Sequence, residues 1–381
     1  MRMATGYWYA FVICVVGCQN FSYGSEPRKI INVEINKPVN FTRVMNACYI
    51  SSMLQALIAL PTWRSYIMNY PPKGCTRKFK HDILMDLRAL ITNYVATPLG
   101  GMCRIENFHR SSDEKGLVWR SSSGAFLFSV PDNFFEVLNK VFLGYRYNEH
   151  VDSVDLWVDC SLYGPFIFTR KDGSFWRLPI NYLSKTEDFI GQPSLYDLIV
   201  NLLTETDGSG HKTLKKFTQV SQILCIESSM LPVIVPSRGE IERSKKRGEI
   251  AYSFPGTLID GRPYKIPQEL NITEFVDPAV RGDTNIIYRL ASIIWQATNH
   301  IIAYVKYGGL WYVCDDLSYE PCKVVSDALR ELERGSIMNK YGYPLFLPSL
   351  LFYERVQQSP LPAEKSNALP DLHASLTLLA M

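Results

Sequence analysis

The sequence predicts a globular chain that mixes helix and strand, and three observations carry that reading. Of its 381 residues, 47% are hydrophobic, 13% aromatic and 20% charged. Those proportions exclude a disordered, collagen-like or coiled-coil chain. A helical spacing of apolar residues follows Cys48, and three β-rich segments crowd the C-terminal third around a Gly-Gly pair. At roughly 150 residues per domain, the length suits two domains or one large α/β or α+β unit. Forty basic residues against thirty-seven acidic ones leave a net charge of +3. So small a balance gives no broad phosphate-binding field, and nucleic acid is not an expected partner. The longest basic run, residues 243–247, reads as a solvated loop.

Both ends are expected to lie outside the folded unit. Arg2 precedes the uncharged run Tyr7-Trp-Tyr-Ala-Phe-Val-Ile-Cys-Val-Val-Gly-Cys18, which is short for a bilayer span. A basic start, a short apolar run and small residues beyond it describe a secretory signal peptide over residues 1–24. Cleavage would fall before Ser25, and Val15-Val16-Gly17 before Cys18 also resembles a bacterial lipoprotein box. The alternative is a buried or membrane-associated N-terminal segment, in which case an uncleaved leader is the only expected membrane contact. Asn20, Asn40 and Asn271 each open an Asn-x-Ser/Thr triplet, a pattern that also arises by chance. Residues 357–381 carry three prolines and little periodicity, and read as a disordered tail.

The nine cysteines include no Cys-x-x-Cys pair, and the six histidines show no metal-ligand spacing. No phosphate-binding glycine loop, serine nucleophile elbow or internal repeat occurs. No metal or cofactor is therefore expected. What remains is a cysteine with a partner histidine.

Cys48 is the strongest position. Ile50, Met53, Leu54, Leu57 and Ile58 follow the spacing of an amphipathic helix that ends before Pro61. Cys48 then lies at the helix start, with Asn46 as a plausible cap. Amide hydrogens and the helix dipole would favour a thiolate there, although an inert buried cysteine fits the same spacing.

Further along, residues 286–295 read as a strand, a turn follows at 296–299, and residues 300–306 form a second strand. Gly308-Gly309 is a hairpin signal, and residues 310–314 make the third strand before Asp315-Asp316. With the glycines as the loop, Tyr307 faces Leu310, which sets His300 opposite Leu317 and diagonal to Asp315. A three-residue loop would instead set His300 opposite Asp316. Diagonal neighbours stand about 7–8 Å apart at the backbone, within reach of a side-chain hydrogen bond. Either register gives the imidazole a carboxylate, as a catalytic base requires. A surface histidine beside an acidic turn has the same spacing.

These segments together resemble the ubiquitin-specific proteases. Asn46-Ala-Cys-Tyr-Ile-Ser-Ser-Met-Leu-Gln-Ala-Leu57 is similar to the family's cysteine box, Gly-Asn-Thr-Cys-Tyr-Met-Asn-Ser-x-Leu-Gln-x-Leu. Asn299-His-Ile-Ile-Ala-Tyr-Val-Lys306 and Gly308-Gly-Leu-Trp-Tyr-Val-Cys-Asp-Asp316 resemble its histidine box, Gly-His-Tyr-x-Ala-Tyr-Val then Trp-Tyr-x-Phe-Asp-Asp. Leu350-Leu-Phe-Tyr-Glu-Arg355 resembles its closing strand, while Ser194-Leu-Tyr-Asp-Leu198 and Leu231-Pro-Val-Ile-Val235 stand at weaker motifs. The resemblance spans about residues 38–356, within an expected catalytic domain over residues 25–356.

It implies an α+β, papain-like architecture of thumb, palm and fingers, with an antiparallel sheet as palm and a helical thumb. It also implies hydrolysis of the (iso)peptide bond after ubiquitin's C-terminal glycine. By position Cys48 would be the nucleophile, His300 the general base and Asp315 the orienting carboxylate, with Asp316 supporting the oxyanion or the histidine. The family's oxyanion asparagine is Arg43 here, so Asn46 or backbone amides are the alternatives. Asn299 and Ile301 flank the histidine where the ubiquitin tail would thread, and with Trp311 they are the expected substrate-binding positions. The fingers' zinc cysteines are absent, so strands around Asp172-Gly173 must hold without metal.

Three functions follow: a deubiquitinase acting on ubiquitin or a ubiquitin-like modifier, a ubiquitin-binding module without turnover, or a secreted papain-like peptidase with other substrates. A leader implies secretion, whereas ubiquitin conjugates and free thiols are cytoplasmic. Delivery into a host cytosol would reconcile the two.

Overall fold

Helix α1, Cys48–Ile58, has all eleven residues buried. A helix hidden on every side sits at the centre of a fold rather than on its surface, so the spacing expected to mark one apolar face marks only half of the packing. Its polar side is buried against specific partners. Ser52 Oγ donates to the Ile301 carbonyl at 3.0 Å, and Gln55 Nε2 donates to the Val39 carbonyl at 2.8 Å. The Tyr94 hydroxyl donates to Gln55 Oε1 at 2.8 Å. The expected stop is displaced: α1 ends at Ile58, and Pro61 opens the next helix, α2, Pro61–Asn69. Proline suits that first position because its missing N–H would have no helical partner.

The structure, a computed structural model, describes residues 34–44, 46–70, 78–98, 100–114, 131–143, 161–180, 192–228, 264–297, 300–317, 322–338 and 344–356. All of them fall within one compact unit, Asn32–Met381. The leader, the basic run at 243–247, the motif at 231–235 and the tail lie outside the described residues. Among those described, no helix is long and apolar enough to cross a membrane.

Helices α3, Lys78–Ala96, α4, Glu106–Glu114, and α5, Pro131–Phe142, follow in the N-terminal half. With α1 and α2 they contribute to one core that also takes Ile294, Ile301, Leu350 and Phe352 from the sheet. This is the helical thumb leaning on the palm.

The palm is a nine-stranded sheet. Seven of its strands are β1, Leu178–Ile180, β2, Ile223–Ser228, β3, Ile287–Gln296, β4, Ile301–Tyr307, β5, Leu310–Cys314, β6, Lys323–Val324, and β7, Pro344–Arg355. Their spatial order is β6-β5-β4-β3-β7-β2-β1. Every neighbouring pair is antiparallel except β1 and β2. Short strands Glu269–Asn271 and Ile337–Met338 add to β3 and β7. Alternation along β3 and β7 sends Ile294 and Phe352 toward the thumb. Ile293, Trp295, Leu351 and Tyr353 go to a second core on the opposite face. That second core includes residues of α6, Leu195–Leu203, and α7, Ala328–Arg334. The weak motif at Ser194 is the start of α6, where Ser194 and Asp197 form a reciprocal capping box.

The predicted finger strands are present at Phe168–Arg170 and Gly173–Phe175, and Arg170 faces Gly173 across the turn. The turn itself is therefore Lys171-Asp172, one residue earlier than expected. The third strand of this ribbon is Phe217–Gln219. Packing holds it together: Phe168 contacts Phe175 and Phe217, and Arg170 lies over the Phe175 ring and pairs with Asp172.

The glycosylation triplets divide. Asn40 is buried at 2% exposure, which leaves no access for a glycan. Asn271 is exposed, and its side chain closes a local turn onto Thr273. Asn20 lies outside the described residues.

Two glycines separate close packing from backbone freedom. Gly335 ends α7 at φ +69°, and a Cβ there would lie 2.0 Å from the Tyr264 carbonyl oxygen. Gly308, at φ +55°, has open space around it. Gly308→Ala is expected to cost only the left-handed strain, about 1–2 kcal/mol, whereas Gly335→Ala must also displace backbone and costs more. Urea midpoints of the two variants check the order, and equal losses would contradict it.

Candidate active site

The hairpin β4–β5 has the two-residue register. Tyr307 faces Leu310, and Ala303 faces Cys314. Gly308 and Gly309 take φ +55° and +82°, the positive values a tight hairpin loop requires. This register carries Asp315, just past β5, to His300, just before β4. His300 Nε2 and Asp315 Oδ1 are 2.8 Å apart, with both side chains partly buried. The Leu317 amide donates to the same carboxylate oxygen at 2.9 Å.

Cys48 enters this site from the opposite end of the chain. Its helix rests on β4, and the backbone amide of Ile301, the residue after His300, favours charge on the Cys48 sulfur. Amides of Cys48 and Tyr49, at the helix start, act in the same direction. Burial outweighs them. At 6% exposure, and with the Asp316 carboxylate nearby, the thiol is pushed up to about 12. Of the two readings the spacing left open, the burial of Cys48 favours the neutral thiol over the thiolate that the helix start would stabilise.

The two adjacent carboxyls are driven apart. Burial raises Asp315, but the His300 hydrogen bond, the Leu317 amide and the His300 charge together bring it below the ordinary carboxylate range. Burial, aided by the Asp315 charge, lifts Asp316 to about 6 against the pull of His300, Ser51 and Arg43. One carboxyl therefore stays ionised against the imidazole while its neighbour titrates close to physiological pH. His300, Asp315 and Asp316 place ligand-type atoms within 4.8 Å of one another. Among the described residues this is the one group compact enough for a metal ion, but Asp315 is already committed to the histidine.

The remaining expected positions separate. Asn46 is not the cap of α1: that place is Ala47, with no side-chain cap bond. Asn46 instead adopts φ +59°, a left-handed conformation that asparagine tolerates better than most residues. Arg43 is exposed, and its charge reaches Asp316. Ile301 is fully buried, so its backbone rather than its side chain faces the site. Asn299 lies outside the described residues. Strand alternation sends Trp311 to the face opposite Cys314. It packs there in the second core at 4% exposure, with the Lys306 ammonium 5.5 Å above its ring.

Sequence reading missed Ser51 and Ser52. They lie three and four residues after Cys48, so they share its side of the helix. Ser51 faces Asp316 and Ser52 holds the strand that follows His300. Helical spacing from Cys48 would have found both.

A helix-borne cysteine set against a sheet-borne His–Asp pair, with thumb, palm and finger strands around them, defines an α+β fold of the papain-like cysteine protease kind. The solved structures narrow it to the fold of the ubiquitin-specific proteases. The chain is similar to the yeast SAGA deubiquitinase module with a mutant Sgf73 subunit, at TM-score 0.53 and 13% identity over 86% of this chain and 71% of that one. The Ubp8/Sgf11/Sus1/Sgf73 module matches at TM-score 0.53 and 14% identity, over 86% and 70%. The same module bound to ubiquitin aldehyde matches at TM-score 0.51 and 14% identity, over 86% and 72%. No family model matches the sequence, and no curated protein does. The likeness is therefore one of fold, in a sequence that has diverged far.

Because the folded chain holds the Asp316 proton more tightly than an unfolded chain with its ordinary value of 3.8, this group favours folding at low pH. That contribution is lost as pH rises from about 4 to about 6. Asp316→Asn is expected to flatten the loss and to raise stability at neutral pH by about 3 kcal/mol. Urea unfolding across the acid range measures it, and an unchanged pH slope in the variant would refute the assignment.

Proposed function

We propose that the protein is a thiol-dependent deubiquitinase, cleaving the (iso)peptide bond after the C-terminal glycine of ubiquitin or a ubiquitin-like modifier. The observation that carries this reading is the His300–Asp315 hydrogen bond at 2.8 Å, formed beside the helix start that bears Cys48. The ubiquitin aldehyde complex among the similar structures supports the choice of substrate.

Each step of the proposed reaction draws on groups of this site. An ionised Asp315 only accepts hydrogen bonds, so Nε2 of a neutral His300 carries the proton and Nδ1 is left as the base. Because Cys48 rests as a thiol, its proton must move to Nδ1 as the sulfur attacks the carbonyl carbon. The tetrahedral oxyanion forms near the first amides of α1, with Asn46 and the Arg43 guanidinium as further donors. His300 returns the proton to the leaving amine, and a thioester on Cys48 remains. Water then attacks the thioester while His300 takes one of its protons, and the C–S bond breaks. His300 returns that proton to the departing Cys48 sulfur, and the free modifier leaves as a carboxylate after losing its remaining acid proton to solvent.

A second reading rests on the buried, neutral Cys48 thiol and on Arg43 in the asparagine position. In that reading the protein binds ubiquitin without turnover. A third has it as a secreted papain-like peptidase. Export through residues 1–24 also belongs to the proposal, and a reporter fused to those residues that stays in the cytosol would overturn it.

Full-length protein treated with ubiquitin bearing a C-terminal electrophile is expected to label, and Cys48→Ala and His300→Ala to abolish labelling. Asp315→Ala should slow turnover by roughly 10²–10⁴-fold. Asp315→Asn can still accept from Nε2–H and should lose much less. Ubiquitin binding without labelling would favour the second reading, and cleavage of short unrelated peptides the third.

A further inference from the structure

We propose that Cys314 and Cys322 form a redox site, a dithiol that closes reversibly into a cross-strand disulfide on the ladder rung just before Asp315. The inference stands on geometry alone and does not depend on what the protein cleaves.

Three observations converge. β5 and β6 pair with Tyr312 facing Val324 and Val313 facing Lys323, so the next facing pair outward is Cys314 and Cys322. The Val325 amide donates to the Trp311 carbonyl at 2.9 Å, which makes residues 311 and 325 a hydrogen-bonded pair. Pair types alternate along an antiparallel ladder, so 312/324 is non-hydrogen-bonded, 313/323 hydrogen-bonded and 314/322 non-hydrogen-bonded. Facing Cα atoms at such a rung stand about 4.5 Å apart, inside the range of about 4.4–6.8 Å that a disulfide spans. The side chains already meet, with the sulfurs 3.1 Å apart and both thiols free.

The partners differ in access. Cys314 is buried at 3% exposure, whereas Cys322 is half-buried and its thiol donates to Asn40 Oδ1 at 3.3 Å. Cys322 is thus the thiol a small oxidant meets first. With glutathione disulfide as oxidant, the Cys322 thiolate attacks one sulfur and expels a glutathione thiolate, which takes up the proton Cys322 lost. Cys314 then gives its proton to solvent and attacks the Cys322 sulfur, expelling the second glutathione. Two protein thiols are oxidised, and one glutathione disulfide is reduced to two thiols. The protein bond closes a ring over residues 315–321, which includes Asp315 and Asp316. A reducing compartment keeps the dithiol and an oxidising one keeps the bond.

A single tryptic peptide, residues 307–323, contains both cysteines and no other. Full-length native protein is equilibrated in glutathione buffers of rising oxidised fraction, quenched with acid, unfolded, alkylated and digested. At the oxidised end the peptide should carry no alkyl group and lack two hydrogens, and dithiothreitol should restore both. Cys314→Ser should trap a glutathione adduct on Cys322. The thermal midpoint of the wild type should rise on oxidation by about 2–5 °C, and that of Cys322→Ser should not. The folded chain should oxidise at a glutathione ratio at least about tenfold more reducing than the urea-unfolded chain, because the ladder pre-aligns the pair. Two alkyl groups on the native peptide across the whole range would overturn the proposal. So would oxidation no easier folded than unfolded, or glutathione adducts that never close.

Discussion

Everything in the site depends on how one buried helix is held against one sheet. α1 reaches β4 through the Ser52 hydroxyl and the Ile301 carbonyl, and β3 donates back through Ser292 Oγ to the Ala56 carbonyl at 3.0 Å. These two bonds join residues more than two hundred positions apart in sequence. With water excluded from both, losing either partner would strand a buried polar group, a penalty of about 1–3 kcal/mol. The apolar side of α1 supplies the driving force and the hydroxyls supply the alignment. A helix packed by hydrophobic contact alone could slide along the strand, and Cys48 would lose its position beside Ile301.

The same burial shapes the electrostatics. A dry environment pushes every charge toward its neutral form, and only groups with dedicated partners resist. Asp315 has the imidazole and an amide, so it stays ionised. Cys48 and Asp316 lack enough compensation, and both rest protonated more readily than they would in water. In the folded chain the Cys48 thiol is therefore held toward its neutral form. For the proposed reaction this means that the Cys48 proton has to leave as the sulfur attacks, because burial disfavours a thiolate formed in advance.

Much of this was legible in the sequence, for identifiable reasons. The hairpin could be registered because Gly308-Gly309 admits a short loop and strand pairing then fixes every facing residue. The start of α1 could be placed because its apolar spacing begins at Cys48 and Pro61 limits its extent. Burial of the far side of α1 could not be read, since Ser51, Ser52 and Gln55 look like a solvated face until their partners from distant segments appear. The face that Trp311 takes could not be read, because a resemblance assigns positions along the chain but not the side of a strand. The rung shared by Cys314 and Cys322 was hidden because β6 is only two residues long and carries no periodicity of its own.

The two-glycine loop between β4 and β5 has one more consequence. It works as a ruler: the separation of His300 from Asp315 is set by how many residues lie between the strands, not by which ones they are. Side chains on a strand alternate faces, so one residue gained or lost there would turn part of the pairing over and send the carboxylate to the wrong side of the sheet. Substitutions within the ladder trade one packing for another and can accumulate, whereas a change in count has no small version. A chain of this fold can therefore drift far in composition, as this one has, while the spacing between His300 and Asp315 stays the same.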